Sequence, residues 1–134
     1  MTLDEIAASL PNGFHDAKIK SINIDYVNRE ARFDLQIWIG DDSGTKEERE
    51  TYRGAQLTLS QLLFCVIDAP DSRYPYHERK ALRVDAGSSN SGQISTSVRL
   101  PAPLPEHSFS HWFFVNNWNA FIHVAAMDAR LEFS

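Results

Sequence analysis

The sequence predicts a single α+β domain, mainly antiparallel β, with roughly seven to nine strands in a small barrel or sandwich and a short N-terminal helix. Apolar and polar residues alternate in several short segments, and turn-forming residues separate those segments. Helical periodicity is confined to the start of the chain. A chain of 134 residues, 43% of them hydrophobic, has the size and composition of one domain with its own core, so we assign 1–134 to one domain.

The first predicted element is a helix over Thr2 to Leu10. Thr2 is a typical N-cap residue, and Glu5 follows three positions later with the spacing of a capping box. The sequence Pro11-Asn12-Gly13 ends the helix. Its apolar residues recur on one face at helical spacing: Leu3, Ile6, Ala7 and Leu10.

A β-hairpin is predicted next. Apolar residues alternate with polar ones from Ile22 to Tyr26 and again from Phe33 to Ile39, and residues 27–30 form a turn between them. Ile19 is out of phase with the first set, which indicates a bulge or a late strand start. One face of this hairpin is apolar and the other mostly polar, as in an antiparallel sheet with one solvated side.

The middle of the chain is predicted to alternate between strands and loops. The run 62–67 is apolar throughout, so it is either a buried strand or a short buried helix. Other strands are predicted over 52–59, 81–84 and 94–100. Loops are predicted at 40–44, 68–77 and 86–92, where Gly, Pro, Asp and Ser are frequent.

The C-terminal part is predicted to be an aromatic hairpin followed by a last strand, Ala129 to Phe133. Strands 111–115 and 118–125 flank Asn116-Asn117, a dipeptide that suits a tight turn. Alternation places two apolar sets on opposite faces. One face carries His111, Phe113, Val115, Ala120, Ile122 and Val124. The other face carries Trp112, Phe114, Phe121 and His123.

Two interpretations of this hairpin stay open. It is either a central strand pair covered on both sides, or one face lines a ligand cavity or a subunit interface. The ligand or interface candidates are Trp112, Phe114, Phe121 and His123. A homodimer through the face that carries Trp112 and Phe114 is one expected outcome, because closed twofold dimers are the commonest oligomers.

The charge of the chain argues against several partners. Thirteen Lys and Arg residues against 18 Asp and Glu residues give a net charge of −5, and the only basic cluster is Arg79-Lys80. Nucleic acids and anionic membranes are bound largely through clustered positive charge, so neither is expected as a partner. We expect a cytoplasmic protein, because no apolar stretch has the length of a membrane span and the N-terminus does not look like a signal peptide.

Metal-ligating motifs are weak in this sequence. His15-Asp16 lies between a helix stop and a strand, so we assign both residues a structural role in the turn, with backbone capping by Asp16. His107 and His111 have the spacing of zinc ligands on a helix. On a predicted strand they would lie roughly 13 Å apart, too far to share one ion. No metal site and no cofactor are therefore predicted.

Catalytic motifs are equally weak. Cys65 is the only cysteine, and it lies in an apolar run where a thiol acts as a small hydrophobic group. The chain has neither the nucleophile elbow of esterases nor a glycine-rich phosphate loop. The acidic stretch 41–50 is expected to be solvated charge. We therefore expect a protein without catalytic activity; were it an enzyme, the candidates would be His15, Asp16, His111 and His123.

Two short segments carry a family resemblance. The sequence Gly13-Phe14-His15-Asp16-Ala17 before an alternating strand, together with the segment Asn116 to Ile122, resembles small bacterial β-rich proteins with a Phe-His-Asp-Ala turn. Some proteins with that pattern are immunity proteins of toxin systems. The resemblance implies a non-catalytic protein that acts by occluding a toxin or another protein partner. A small-ligand carrier with an aromatic-lined cavity is the alternative, and an enzyme of unknown class is the second alternative.

Overall fold

The computed structural model describes residues 1–73, 81–89 and 99–134. In these ranges, six antiparallel strands close into a barrel, and two short helices lie outside the strands. The helices are α1 (Leu3–Ala8) and α2 (Lys46–Arg49). The strands are β1 (Lys18–Asp25), β2 (Glu30–Trp38), β3 (Tyr52–Ile67), β4 (Leu82–Ser88), β5 (Phe109–Val115) and β6 (Ala120–Phe133). Around the barrel they follow the order β1-β2-β3-β6-β5-β4. No helix in the described part of the chain has the length and apolar character needed to cross a membrane.

The predicted strand count of seven to nine is wrong for the described residues, which form six. Residues 52–59 and 62–67 are one strand, β3, and the predicted last strand is the end of β6. Alternation breaks at a bulge between Leu62 and Phe64, and the sequence pattern therefore gives two apparent segments where the backbone continues as one strand.

Two further boundaries differ from the prediction. β4 continues through Ala86 to Ser88, which was predicted to be loop, because these small residues pair with β5. Of the strand predicted over 94–100, residues 94–98 lie outside the described ranges, as do residues 74–77 of the predicted loop 68–77. Residues 99–100 are not strand.

The N-terminal helix and the first hairpin confirm the local predictions. Thr2 caps α1, and Thr2 and Glu5 form the capping box expected from their spacing. Leu3 and Ile6 are buried in the same core as the barrel strands. The β1–β2 pairing shifts register between Ile19 and Ser21, which is the bulge indicated by the phase of Ile19.

The barrel interior is filled by side chains. The β5 and β6 residues predicted to share a face do so, and that face points into the core, where Phe113, Ile122 and Val124 are almost completely buried. The small space among the core side chains near Phe33 and Phe113 has a volume of only about 10 Å³. An interior of this kind stabilises the fold through burial, and the space among these described core residues is too small for an organic ligand.

Candidate functional site

A cleft of about 310 Å³ opens between α1, the turn over residues 11–16 and β4. This volume is at the lower end of the range for small-molecule sites. The closure of the barrel creates it, because β4 pairs with the first residues of β1 and so meets the turn that precedes β1. The side chains that give the cleft its polar character are Asp4, Asn12, His15, Asp85 and His111.

His111 lies at the floor of this cleft. Its ring packs against Phe113, with ring centroids 4.9 Å apart, and more distantly against Phe14. Only 3% of the side chain is exposed, and neither ring nitrogen has a hydrogen-bond partner among the described residues. Burial lowers the pKa of His111 to about 4, while the carboxylate of Asp4, 3.5 Å from Nδ1, opposes that shift more weakly. At neutral pH the floor of the cleft is therefore an uncharged imidazole.

His15 and Asp16 lie in the turn that forms one wall of the cleft, and β4 places Asp85 beside them. The backbone N–H of Asp16 donates to the carbonyl of Val84 at 2.9 Å. Nδ1 of His15 lies 2.7 Å from the backbone oxygen of Asp85, and Nε2 lies 3.5 Å from Oδ2 of Asp16. One potential metal-ligating atom from each of the three side chains lies within 4.8 Å of the other two.

The predicted backbone-capping role of Asp16 is wrong for the described residues. Its carboxylate accepts hydrogen bonds from the Arg83 guanidinium, at 2.8 Å from Nε and 2.5 Å from Nη2. Asp16 itself has a φ of 59°, in the left-handed region that few residues other than Gly, Asn and Asp adopt. This backbone conformation, combined with the position of β4, turns the carboxylate toward Arg83.

An acidic cap lies next to the same turn, and we define it as residues 41–50, the connection between β2 and β3. The Asn12 side chain ties the turn to the start of the cap by donating to the carbonyls of Trp38 and Gly40. The Trp38 indole donates to the carbonyl of Arg49 at 2.5 Å. Gly40 has no room for a side chain, since a Cβ there would lie 2.3 Å from that same Arg49 carbonyl oxygen.

The charges of the acidic cap face solvent. It carries five carboxylates and two basic side chains, all exposed, and none of the five forms an ion pair within the described parts of the chain. Two serine hydrogen bonds, from the hydroxyl and the backbone of Ser43, lower the pKa of Asp41. The five carboxylates are those of Asp41, Asp42, Glu47, Glu48 and Glu50.

The predicted ligand or interface residues form an aromatic cluster on the outer face of β5 and β6. Phe121 lies at its centre, with ring centroids 5.6 Å from Trp112 and 5.2 Å from Phe114, and it stacks on His123 at 5.8 Å. His123 is buried, with Nε2 3.5 Å from Oδ2 of Asp68. The cavity beside Trp112 and His123 has a volume of only about 20 Å³, far below that of a ligand pocket.

The four residues named as enzyme candidates do not meet at one place. His15 and His111 border the cleft, and Asp16 adjoins it, whereas His123 lies on the opposite face of the hairpin. Sequence reasoning missed Asp85, because nothing in its local pattern indicates that a bulge between Val84 and Ala86 places it beside His15. It also missed α2, for which the Thr45–Glu48 capping-box spacing was an available signal.

Comparison of the chain with protein-family models, curated proteins and solved structures finds no match. The resemblance to toxin-immunity proteins, drawn from Gly13 to Ala17 and Asn116 to Ile122, therefore stays a prediction.

Proposed function

We propose that this chain is a non-catalytic binding protein whose acidic cap covers a basic surface of a protein partner. The observation that carries the proposal is the acidic cap itself: its backbone is held by specific contacts, while all five carboxylates stand in solvent without an ion pair among the described residues. Loops of this kind, fixed on a rigid scaffold, are where binding residues concentrate.

The fixed backbone of the acidic cap favours binding. The capping box of Thr45 and Glu48 closes α2, and the backbone N–H of Asp41 donates to the carbonyl of Glu48. Because these contacts already order the loop, a partner would not have to supply the conformational free energy of ordering it. The charges would therefore meet a partner in a preformed arrangement.

The sign of the charge indicates the class of partner. An exposed acidic surface attracts a basic one, accelerates association and disfavours acidic competitors. Proteins that act on nucleic acids carry basic surfaces for phosphate contact, and a toxin of that class would offer such a surface. An immunity-type role, in which the acidic cap occludes that surface, agrees with the resemblance of the Phe-His-Asp-Ala turn.

The alternatives have less support among the described residues. A carrier needs an enclosed aromatic-lined cavity. The enclosed spaces beside Phe113 and beside Trp112 have volumes of only about 10 and 20 Å³, and the larger cleft of about 310 Å³ is open to solvent. An enzyme that used all four sequence candidates would need them to converge on one substrate, and His123 faces the opposite side of the barrel wall from His111.

A binding measurement with a matched control tests the proposal. The probes are purified proteins encoded by genes adjacent to that of this chain, titrated calorimetrically at about 50 and about 200 mM salt. The test variant is Asp42→Asn/Glu47→Gln, since neither side chain makes a structural hydrogen bond within the described residues. The control, Glu30→Gln/Asp128→Asn, removes the same charge from two neighbouring positions away from the cap, since Glu30 of β2 and Asp128 of β6 both pair with Ser60 of β3.

We expect a stoichiometric complex with a basic partner that weakens with salt. The variant in the acidic cap should raise Kd roughly tenfold, which corresponds to about 1.4 kcal/mol, and the control should leave it nearly unchanged. Equal binding by both variants, or loss of binding in the control alone, would place the interface elsewhere. Failure of every adjacent-gene product to bind would remove the immunity-type function.

A further inference from the structure

Three side chains from two distant parts of the chain converge beside the cleft. His15 and Asp16 come from the turn before β1, and Asp85 comes from β4, 70 positions after His15. Hydrogen bonds between Asp16 and Val84, and between Val84 and Ala17, hold the two segments together. One imidazole nitrogen and two carboxylates are a donor set that suits a divalent transition metal, Zn²⁺ in particular.

The orientation of the His15 ring is specific. A backbone carbonyl only accepts hydrogen bonds, so the Asp85 oxygen, 2.7 Å from Nδ1, places the ring proton on Nδ1. When the ring is neutral, Nε2 therefore carries a lone pair, and it faces Oδ2 of Asp16 at 3.5 Å. Two acceptors cannot bond to each other, whereas a cation between them would bind both. Bonds of about 2.0–2.1 Å in a tetrahedral zinc site separate neighbouring ligands by roughly 3.4 Å.

A contact with Arg83 orients the Asp16 carboxylate. Arg83 donates only to Oδ1 of Asp16, which leaves Oδ2 directed toward His15. This is the kind of outer contact that orients metal ligands. Two irregular backbone features produce the arrangement: the left-handed φ of 59° at Asp16 and the β-bulge between Val84 and Ala86 that flanks Asp85. Such features recur at functional sites, where the surrounding structure holds them.

The cleft supplies a second, independent observation. His15 and Asp85 line it, and its floor is His111, whose side chain is 3% exposed and whose two ring nitrogens make no hydrogen bond among the described residues, the carboxylate of Asp4 lying 3.5 Å from Nδ1. A buried polar group left unpaired costs free energy, which a bound ligand can recover. The cleft also gives solvent or a bound molecule access to an ion held by three protein ligands.

We propose that His15, Asp16 and Asp85 form a site for one divalent transition-metal ion, Zn²⁺ being the best match, with a remaining coordination position open to the cleft. Nε2 of His15, Oδ2 of Asp16 and one carboxylate oxygen of Asp85 are the ligands. Arg83 and the Asp85 carbonyl orient them. This site is separate from the acidic cap, so its existence does not depend on the proposed function.

Titration of the full-length protein with Zn²⁺ alone tests the proposal. Calorimetry and metal analysis after dialysis should give one equivalent of zinc per chain. Asp85→Asn removes an exposed ligand whose side chain makes no hydrogen bond in the described structure, so it should fold normally and weaken zinc binding at least tenfold. His15→Asn should weaken it further. His107→Asn is the control, since His107 is an exposed histidine that does not line the cleft.

A spectroscopic readout separates ligation from a structural role. On adding zinc, the nitrogen resonances of the His15 ring should shift at Nε2 far more than at Nδ1. Zinc affinity unchanged in both Asp85→Asn and His15→Asn would overturn the proposal, as would the absence of stoichiometric binding near neutral pH. A His15 ring whose two nitrogen resonances do not respond to zinc would assign the contact with Asp16 to an ordinary ion pair and overturn the proposal.

Discussion

The two buried histidines of the aromatic hairpin lie on neighbouring strands but in opposite surroundings. His111 faces the core from β5, and its nearest carboxylate, on Asp4, is 56% exposed. His123 faces outward from β6 into the aromatic cluster, and its nearest carboxylate, on Asp68, is only 16% exposed. The solvated carboxylate of Asp4 stabilises a charge on the buried His111 ring only weakly. The carboxylate of Asp68 is mostly buried, so it needs a polar neighbour, and the His123 imidazole is that neighbour.

The largest expected effect is the loss of stability on truncating a side chain on the inner face of β5, compared with one on its outer face. Phe113 is buried in the core against Phe14 and Phe33, while Phe114 lies half-buried in the aromatic cluster. Phe113→Ala should lower the free energy of unfolding by about 4 kcal/mol, because it removes packed surface and leaves a cavity. Phe114→Ala should cost about half as much. Urea denaturation of both variants measures the difference, and equal losses would mean that the two faces are equally buried.

The next effect is the dependence of stability on pH. The folded pKa of His111 is about 4, below its ordinary value of 6.5, because burial disfavours the charged ring. The unfolded chain therefore takes up a proton at His111 before the folded chain does. Stability should fall by about 3 kcal/mol as the pH drops from about 6.5 to about 4, with the full contribution present above that window. Unfolding curves across this range should show the slope, and His111→Leu should remove it.

Replacing each histidine by leucine should change stability in opposite directions. His111→Leu removes a buried polar ring that makes no hydrogen bond among the described residues and leaves Asp4 in solvent, so stability at neutral pH should rise by about 1 kcal/mol. His123→Leu leaves the mostly buried carboxylate of Asp68 without its neighbour and should cost about 2 kcal/mol. Thermal unfolding at one pH compares the pair. A loss of stability in both variants would show that His111 has a partner that its geometry does not reveal.

The smallest effect concerns Asp16, beside the exposed histidine His15. Asp16→Asn keeps the left-handed turn but weakens the bond to the half-exposed Arg83 side chain, so it should cost about 0.5 kcal/mol in metal-free protein. Asp16→Ala should cost about 1 kcal/mol more, because alanine disfavours a φ of 59°. Denaturation in the presence of a chelator measures both variants. Equal losses of stability in the two variants would mean that the turn in Asp16→Ala changes its backbone conformation and avoids the left-handed φ.

Local features were predictable because consecutive residues encode them. The Thr2–Glu5 spacing predicted a capping box, the phase of Ile19 indicated a bulge, and alternation placed Phe113 and Phe114 on opposite faces. Predictions failed where alternation was interrupted. The bulge at Leu62 divided β3 into two apparent strands, and the small residues after Val84 were assigned to a loop although their backbone pairs with β5.

The sequence by itself determined the β-rich class, the first helix, the facing of the aromatic hairpin and the solvated acidic stretch, because each depends on residue order over a few positions. Only the tertiary structure decided which distant groups meet. Closing the barrel through β1 and β4 brings Asp85 beside His15, and packing α1 against the core leaves His111 buried near Asp4. Such neighbours follow from strand order and register across the whole barrel, which no local pattern in one chain specifies.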